Sequence, residues 1–137
     1  MPIIKTETDM IKLGEDLGKT LVAPITIELI GDVGAGKTTL TKGIARALGI
    51  TAPITSPSFT ISKSYTSPSG ITLNHYDFYR LEDPGIMSED LAESISAPST
   101  ITIIEWAETV ATLLPKNHIK ITITYLETGD RQVEIAK

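Results

Sequence analysis

The alternation of apolar and polar residues divides the chain into helical and extended segments. Apolar residues recur at helical spacing over residues 10–21, behind a Thr6 and Asp9 pair that resembles a capping box. This pattern predicts an amphipathic helix to about Thr20, before Pro24. A mostly apolar run, Ile25–Ile30, then predicts a buried strand.

Further along, short alternating runs predict mostly extended chain. Residues 60–66 and 71–78 flank a Ser-Pro-Ser-Gly turn and predict a β-hairpin. Strands interleaved with helices favour an α/β fold of three layers, α/β/α, whose central sheet is mostly parallel and gains antiparallel strands from hairpins. The other expected elements are helices at 37–48, at 87–93 with Ser88 as N-cap and at 107–113, and strands at 100–105, 119–126 and 132–136.

Composition narrows the class of protein. A chain of 137 residues with 41% hydrophobic and 21% charged residues is expected to form one domain, residues 1–137. The absence of cysteine excludes a disulfide scaffold, thiol catalysis and a Cys-based zinc site. We expect a soluble, cytoplasmic protein without a membrane partner, because neither a signal-peptide pattern nor an apolar run of about 20 residues occurs.

The charge balance bears on nucleic-acid binding. The net charge is −5, and the 12 lysines and arginines are scattered along the chain. Proteins that bind nucleic acid tightly cluster such residues to displace counterions from phosphates. Independent, tight binding of RNA or DNA is therefore not expected, and any contact with nucleic acid would run through a partner or a small local patch.

The most specific motif is Gly-Asp-Val-Gly-Ala-Gly-Lys-Thr-Thr, which begins at Gly31 and fits the phosphate-loop pattern G-x-x-x-x-G-K-[ST] after a strand. Its glycines allow backbone N–H groups to form an anion nest, and the following helix adds its positive N-terminal dipole. Lys37 is expected to contact terminal phosphates and Thr38 to ligate Mg²⁺. A plain glycine turn is the alternative. The expected nucleotide-binding residues here are Gly31, Asp32, Val33, Gly34, Ala35, Gly36, Lys37, Thr38 and Thr39.

Two acidic residues close predicted strands, where α/β folds bind their ligands. Glu105 follows the apolar run Ile101 to Ile104 and is the first candidate for contact with Mg²⁺, directly or through water. Asp77 is the second, as a metal ligand or as the residue that orients the attacking water. Alternatively, Glu105 caps the next helix and Asp77 pairs with Arg80.

Other candidates are less specific. Thr55 and Ser58 lie in a Ser/Pro-rich segment after the phosphate-loop helix, where hydroxyls could close over a metal, or where the segment is simply solvated. Trp106 could shield the site, dock a partner or only pack. His75 and His118 lack metal-ligand company and are expected to be structural or exposed.

Four segments together resemble the bacterial TsaE (YjeE) family: the phosphate loop, Thr-Ser-Pro-Ser-Phe-Thr from Thr55, His-Tyr-Asp-Phe-Tyr-Arg-Leu from His75 and Ile-Ile-Glu-Trp-Ala-Glu from Ile103. The phosphate loop alone is generic, and the other three are far more diagnostic. One departure is Ser58, where threonine is common in the family.

The resemblance implies a P-loop ATPase required to form N6-threonylcarbamoyladenosine at tRNA position 37 (t6A). It implies Mg²⁺ and ATP as ligands, ADP as product and the TsaD and TsaB proteins as partners, with tRNA reached only through that complex. The family's essential acid corresponds to Asp77, and its metal-associated acid to Glu105. We expect slow hydrolysis by the isolated protein, with Lys37, Asp77 and Glu105 as the catalytic residues.

Three alternatives stay open. A small-molecule or nucleotide kinase shares the loop, but three scattered arginines leave little material for an arginine-bearing lid. A GTPase-type switch lacks the Asn-Lys-x-Asp sequence that reads guanine. A nucleotide-gated adaptor without hydrolysis would retain partner function without Asp77.

Overall fold

A mixed β-sheet forms the centre of the structure, a computed structural model that describes residues 2–32, 34–57, 60–79, 83 and 85–137. Within those residues the sheet has seven strands in the order β1-β7-β6-β2-β5-β4-β3. The elements in chain order are β1 (Ile3–Ile4), α1 (Glu7–Gly18), β2 (Ile25–Ile30), α2 (Lys37–Ala47), β3 (Ser62–Thr66), β4 (Thr72–Asp77), α3 (Ile86–Ser96), β5 (Thr100–Glu105), a 3-10 helix (Ala107–Leu113), β6 (Ile119–Tyr125) and β7 (Arg131–Ala136).

The four central strands are parallel, and the two edges are antiparallel. β2 pairs in parallel with β5 and β6, and β5 pairs in parallel with β4. β3 is joined to β4 as the predicted hairpin, while β7 pairs antiparallel with both β6 and β1. The prediction of mixed α/β structure is therefore confirmed.

Helices cover both faces of this sheet. Side chains alternate along each strand, so Ile101 and Ile103 face one side and Ile104 faces the other. The first side packs in a cluster with α1 and α2, which includes Met10 and Ile44. The opposite side packs against α3 and the 3-10 helix, whose buried residues belong to a second cluster.

The two helices on the first face cross in close contact. A Cβ added at Gly43 of α2 would lie 2.1 Å from the carbonyl oxygen of Ile11 in α1, and one added at Gly14 would lie 2.3 Å from that of Leu40. Only a residue without Cβ fits at either position. α1 begins as predicted, since the Asp9 N–H donates to Thr6 Oγ1 over 3.0 Å.

A few expected boundaries were wrong. α3 begins before the predicted N-cap, because Gly85 takes that position and the Ser88 hydroxyl donates to its carbonyl oxygen over 2.7 Å. β1 was not predicted, since two residues are too few to show a period. No helix in the described part of the chain is long and apolar enough to cross a membrane.

Candidate functional site

The described residues that follow β2 form a tight turn, which we call the glycine loop (residues 31–32 and 34–36). Gly34 and Gly36 have φ values of +83° and +112°, a backbone region that residues with a Cβ rarely adopt. The Ala35 N–H donates to the Asp32 carbonyl oxygen over 3.0 Å. α2 begins directly afterwards at Lys37, with Gly36 as its N-cap, so the first N–H groups of the helix adjoin the loop.

Two side chains from the β6–β7 hairpin hold the glycine loop from outside. The Tyr125 hydroxyl donates to the Gly34 carbonyl oxygen, and Arg131 Nη2 donates to the same oxygen over 3.3 Å. Arg131 also donates to the Tyr125 hydroxyl over 2.8 Å. The hairpin therefore fixes the orientation of a peptide group in the middle of the loop.

The carboxyl ends of β4 and β5 bring the two candidate acids together. Asp77 and Glu105 are directly paired in the register of these parallel strands, and Glu105 is also paired with Leu29 of β2. Asp77 is 6% exposed and Glu105 is 4% exposed. Two carboxylates are therefore held side by side, largely out of solvent, at the end of the sheet where the glycine loop begins.

Glu105 has a basic partner on each of its carboxylate oxygens. Its Oε1 lies 3.5 Å from Lys37 Nζ, and its Oε2 lies 2.5 Å from His75 Nε2. The alternative that Glu105 caps the following helix does not hold, since Trp106 is the N-cap and no side chain caps it. Because burying a lone carboxylate is costly, the two contacts explain how Glu105 is tolerated there.

Lys37 is tied to the loop as well as to the acid. Its Nζ donates to the Gly31 carbonyl oxygen over 2.7 Å and lies 4.3 Å from the centre of the Trp106 ring. Tyr79 packs on the same ring at 4.7 Å between centroids. Trp106 has a φ of +56°, which turns the chain sharply after β5 and brings the indole to the ammonium group.

Asp77 also shapes the chain that follows it. Its Oδ1 accepts a hydrogen bond from the Tyr79 N–H over 2.9 Å. The alternative pairing with Arg80 concerns a residue outside the described part of the chain. Asp77 therefore has a local structural contact in addition to its place at the strand end.

These residues line one cleft of about 430 Å³. Thr38 and Thr39 enter it from the start of α2, and Ser56 and Tyr79 line it although the sequence did not single them out. Predicted residue Thr55 does not line it. Instead, Lys63 Nζ donates to the exposed Thr55 hydroxyl. The full lining among the described residues is Gly34, Gly36, Lys37, Thr38, Thr39, Ser56, Asp77, Tyr79, Glu105 and Trp106.

The remaining predicted residues have other positions. Gly31, Asp32 and Ala35 belong to the loop without lining the cleft, and Ala35 is buried beneath it. Val33 and Ser58 lie outside the described residues, so their predicted roles stay predictions. His118 contacts Glu28 and the Pro115 carbonyl oxygen instead of the cleft.

The donors in the cleft suit a hard cation. Thr38 offers a hydroxyl, and Asp77 and Glu105 offer carboxylates, which are the oxygen donors that Mg²⁺ prefers. No group of three or more His, Asp or Glu side chains among the described residues could hold a metal ion alone. Mg²⁺ commonly binds one or two carboxylates together with phosphate oxygens and water, so this set fits a shared site.

A smaller recess continues on the other side of the glycine loop. It has a volume of about 80 Å³ and is lined by Glu7, Met10 and Arg131 together with Gly34, Gly36 and Thr39. A molecule that reached from the cleft past Thr39 would therefore meet the start of α1 and the Arg131 side chain.

Comparisons with known proteins agree on one family. The family model described as threonylcarbamoyl adenosine biosynthesis protein TsaE matches residues 4–133. A Nostoc sp. protein named tRNA threonylcarbamoyladenosine biosynthesis protein TsaE is 44% identical over 128 residues, 91% of this chain and 78% of that protein. The protein of the same name from Treponema pallidum is 33% identical over 134 residues, 98% of each chain.

A solved structure agrees with the sequence relatives. The crystal structure of YdiB from Bacillus subtilis superposes on this chain with a TM-score of 0.79 and 28% sequence identity. The match covers 96% of this chain and 80% of the YdiB chain. The family match, these relatives and this shared fold confirm the resemblance seen in the sequence. The chain belongs to the TsaE family of threonylcarbamoyl adenosine biosynthesis proteins.

Proposed function

We propose that this chain is a P-loop, Mg²⁺-dependent ATP hydrolase that supports t6A formation in tRNA together with the TsaD and TsaB proteins. The observation that carries the proposal is one cleft in which Lys37, Thr38, Asp77 and Glu105 converge beside a glycine loop. Such a cleft combines an anion-binding helix N-terminus with two buried carboxylates.

The glycine loop and the start of α2 would bind the phosphates. Backbone N–H groups at a helix N-terminus favour anions, and Lys37 adds a point charge. Lys37 now contacts Glu105, Gly31 and Trp106, all through its ammonium group. Phosphate binding would therefore draw the ammonium group away from Glu105 toward the terminal phosphates.

The carboxylates would divide the remaining work. Thr38 and Glu105 would hold Mg²⁺, and Asp77 would hold it or orient the attacking water. Bound Mg²⁺ would supply charge neutralisation for the phosphates. The chain's own residues position the reactants, and in phosphoryl transfer this positioning provides most of the acceleration.

The described arginines support slow hydrolysis by the isolated chain. Arg46 of α2 forms an ion pair with Glu15 of α1, with 3.2 Å between Nη1 and Oε1. Arg131 contacts the outside of the glycine loop. These contacts lie away from the Glu105 carboxylate, and an arginine that stabilises the transferred phosphoryl group can contribute a factor of about 10³–10⁵. Partners that order or complete the cleft would accelerate the reaction.

Phosphate release from ATP tests the proposal. The rate is measured for this chain alone and with TsaD and TsaB, and a Lys37→Ala variant is the control. We expect marked stimulation by the partners that vanishes with Lys37→Ala. An unchanged rate would contradict the proposal, and ATP-dependent phosphorylation of a small acceptor would favour a kinase instead.

A further inference from the structure

His75 is a fully buried polar residue that contacts the cleft residue Glu105, and this contact was not predicted. It is 0% exposed, and its Nε2 lies 2.5 Å from Glu105 Oε2. Alternation along β4 places it on the same face as Asp77, two residues later. It does not line the cleft itself, so it reaches the cleft only through Glu105.

The direction of this hydrogen bond follows from its partners. A carboxylate can only accept, so the hydrogen lies on His75 Nε2. His75 Nδ1 is buried and has no hydrogen-bond partner among the described residues. A ring that carries its hydrogen on Nε2 has only a lone pair on Nδ1, and no donor among the described residues faces that lone pair. The ring therefore donates one hydrogen bond, to Glu105.

Glu105 needs that bond most when Lys37 leaves. In the present arrangement Lys37 and His75 each hold one carboxylate oxygen. Under the proposed function, phosphates compete for the Lys37 ammonium group. His75 would then be the remaining contact that the described protein residues give to the Glu105 carboxylate.

We propose that His75 is a positioning residue that holds Glu105 in the orientation required for Mg²⁺ when Lys37 moves to the phosphates. The inference rests on the proposed function. The proposed role also explains why a polar imidazole ring occupies a fully buried position, where an apolar side chain would pack at a lower desolvation cost. Partners of this kind, which hold a metal ligand without touching the metal, typically contribute about 10–100-fold to metal affinity.

Three substitutions separate this role from simple packing. The amide nitrogen of His75→Gln occupies nearly the position of Nε2 and can donate to Glu105. The amide nitrogen of His75→Asn lies nearer the position of Nδ1, and His75→Leu has no donor. His118→Leu is the matched control, because it removes a His–Glu contact, 3.0 Å to Glu28, outside the cleft.

The readout is the metal dependence of nucleotide binding, not activity. ADP affinity is measured by calorimetry in EDTA and in Mg²⁺, and Mn²⁺ binding to the ADP complex is measured by electron paramagnetic resonance. We expect His75→Leu and His75→Asn to lose about tenfold or more in metal affinity. Their ADP affinity in EDTA should change by less than about twofold, while His75→Gln and His118→Leu retain metal affinity.

The same experiment separates two kinds of failure. Wild-type protein that binds ADP equally with and without Mg²⁺ would overturn the proposed function. If Mg²⁺ clearly changes the ADP affinity of the wild type, and changes that of His75→Leu and His75→Asn equally, only the proposed role of His75 would be overturned. Equal losses in EDTA and in Mg²⁺ would mean that the ring supports packing alone, and would overturn it too.

A spectroscopic measurement on wild-type protein covers the case in which the variants do not fold. Imidazole ¹⁵N–¹H spectra should show a slowly exchanging Nε2–H for His75 that persists when Mg²⁺ and ADP are added. Loss of that signal on loading, or a hydrogen on Nδ1 instead, would contradict the proposal.

Discussion

At the scale of single residues, Lys37 links the glycine loop to the carboxyl end of β5. Its ammonium group contacts the loop backbone at Gly31, the carboxylate of Glu105 and the face of Trp106. A lysine that is 6% exposed needs such partners, because desolvating a lone ammonium group is costly. Under the proposed function, nucleotide binding would therefore exchange these existing contacts of Lys37 for contacts with phosphate.

Substitutions of Asp77 distinguish an ATP hydrolase from a nucleotide-gated adaptor that does not hydrolyse ATP. Asp77→Asn keeps an oxygen for the Tyr79 N–H, 2.9 Å away, but removes the carboxylate charge. We expect ATP hydrolysis to fall by about 10²-fold or more while ATP affinity in EDTA stays within a few-fold. Both are measured on the same preparation by phosphate release and calorimetry.

Asp77→Ala serves as the comparison, because it removes the Tyr79 contact as well. A partner assay for tRNA modification then separates the two hypotheses. An adaptor without meaningful hydrolysis would retain t6A formation with Asp77→Asn, and that result would exclude the ATPase cycle proposed above.

Tyr76 is expected to make the stability of the fold depend on pH in the alkaline range. Burial against α3 raises the pKa of its hydroxyl from 10.0 to about 12, with smaller effects from Ser94 and Asp90. The folded state holds this proton more tightly than the unfolded state. The associated stability is therefore complete below pH 10 and is lost as the pH rises toward 12.

We expect this loss to reach roughly 2 to 3 kcal/mol and to be absent in Tyr76→Phe. Urea unfolding at several pH values between neutrality and pH 12 measures it as the difference between wild type and variant. Parallel pH profiles for the two proteins would show that Tyr76 ionises normally, against this prediction.

The sequence identified most of the cleft at this scale, and the reason for each miss is physical. Lys37, Thr38, Asp77 and Glu105 were found because a motif or a strand end marks them. His75 was expected to be structural or exposed, although its spacing from Asp77 already placed both on one face of β4. Its contact with Glu105 requires the β4–β5 register, which pairs residues far apart in sequence.

At the scale of elements, the α1–α2 crossing sets the position of the glycine loop. α2 begins with Lys37 and packs tightly on α1 at Gly14 and Gly43. Any change that separates the helices would therefore also move the first turn of α2, on which Lys37 and Thr38 lie.

Gly43→Ala tests the crossing by the sign of its effect. Helix propensity alone predicts stabilisation by about 1 kcal/mol. We expect destabilisation by about 1–3 kcal/mol, because the new Cβ would lie 2.1 Å from the Ile11 carbonyl oxygen. The free energy of unfolding in urea measures the change, and a stabilised variant would mean that the helices can separate at little cost.

Elements with strong local signals were predicted well. β2 and β5 have the predicted bounds, since short runs rich in apolar residues, bounded by turn residues, define both. The segment 107–113 is helical as expected but adopts the 3-10 form. Ser88 was a reasonable N-cap from its residue type, but the positive φ of Gly85 starts the helix earlier.

At the scale of the whole molecule, the order of the strands in the sheet could not be predicted from the sequence patterns. Periodicity identifies strands but not their neighbours, and β2 pairs with β5 and β6 instead of with the strands that follow it. The parallel centre and the antiparallel edges could be expected in outline from alternating helices and strands. The pairing of β1 with β7 joins distant segments and carries no local signal.

This strand order has a consequence for how the protein is made. Both neighbours of β2 are translated long after it, since β5 begins at Thr100 and β6 at Ile119. A ribosome-stalled chain that ends at residue 99 would contain the whole phosphate-loop motif but leave β2 without a partner on either side. Under the proposed function, we expect such a nascent chain to bind no nucleotide and to gain that ability only after β6 and β7 have emerged from the exit tunnel.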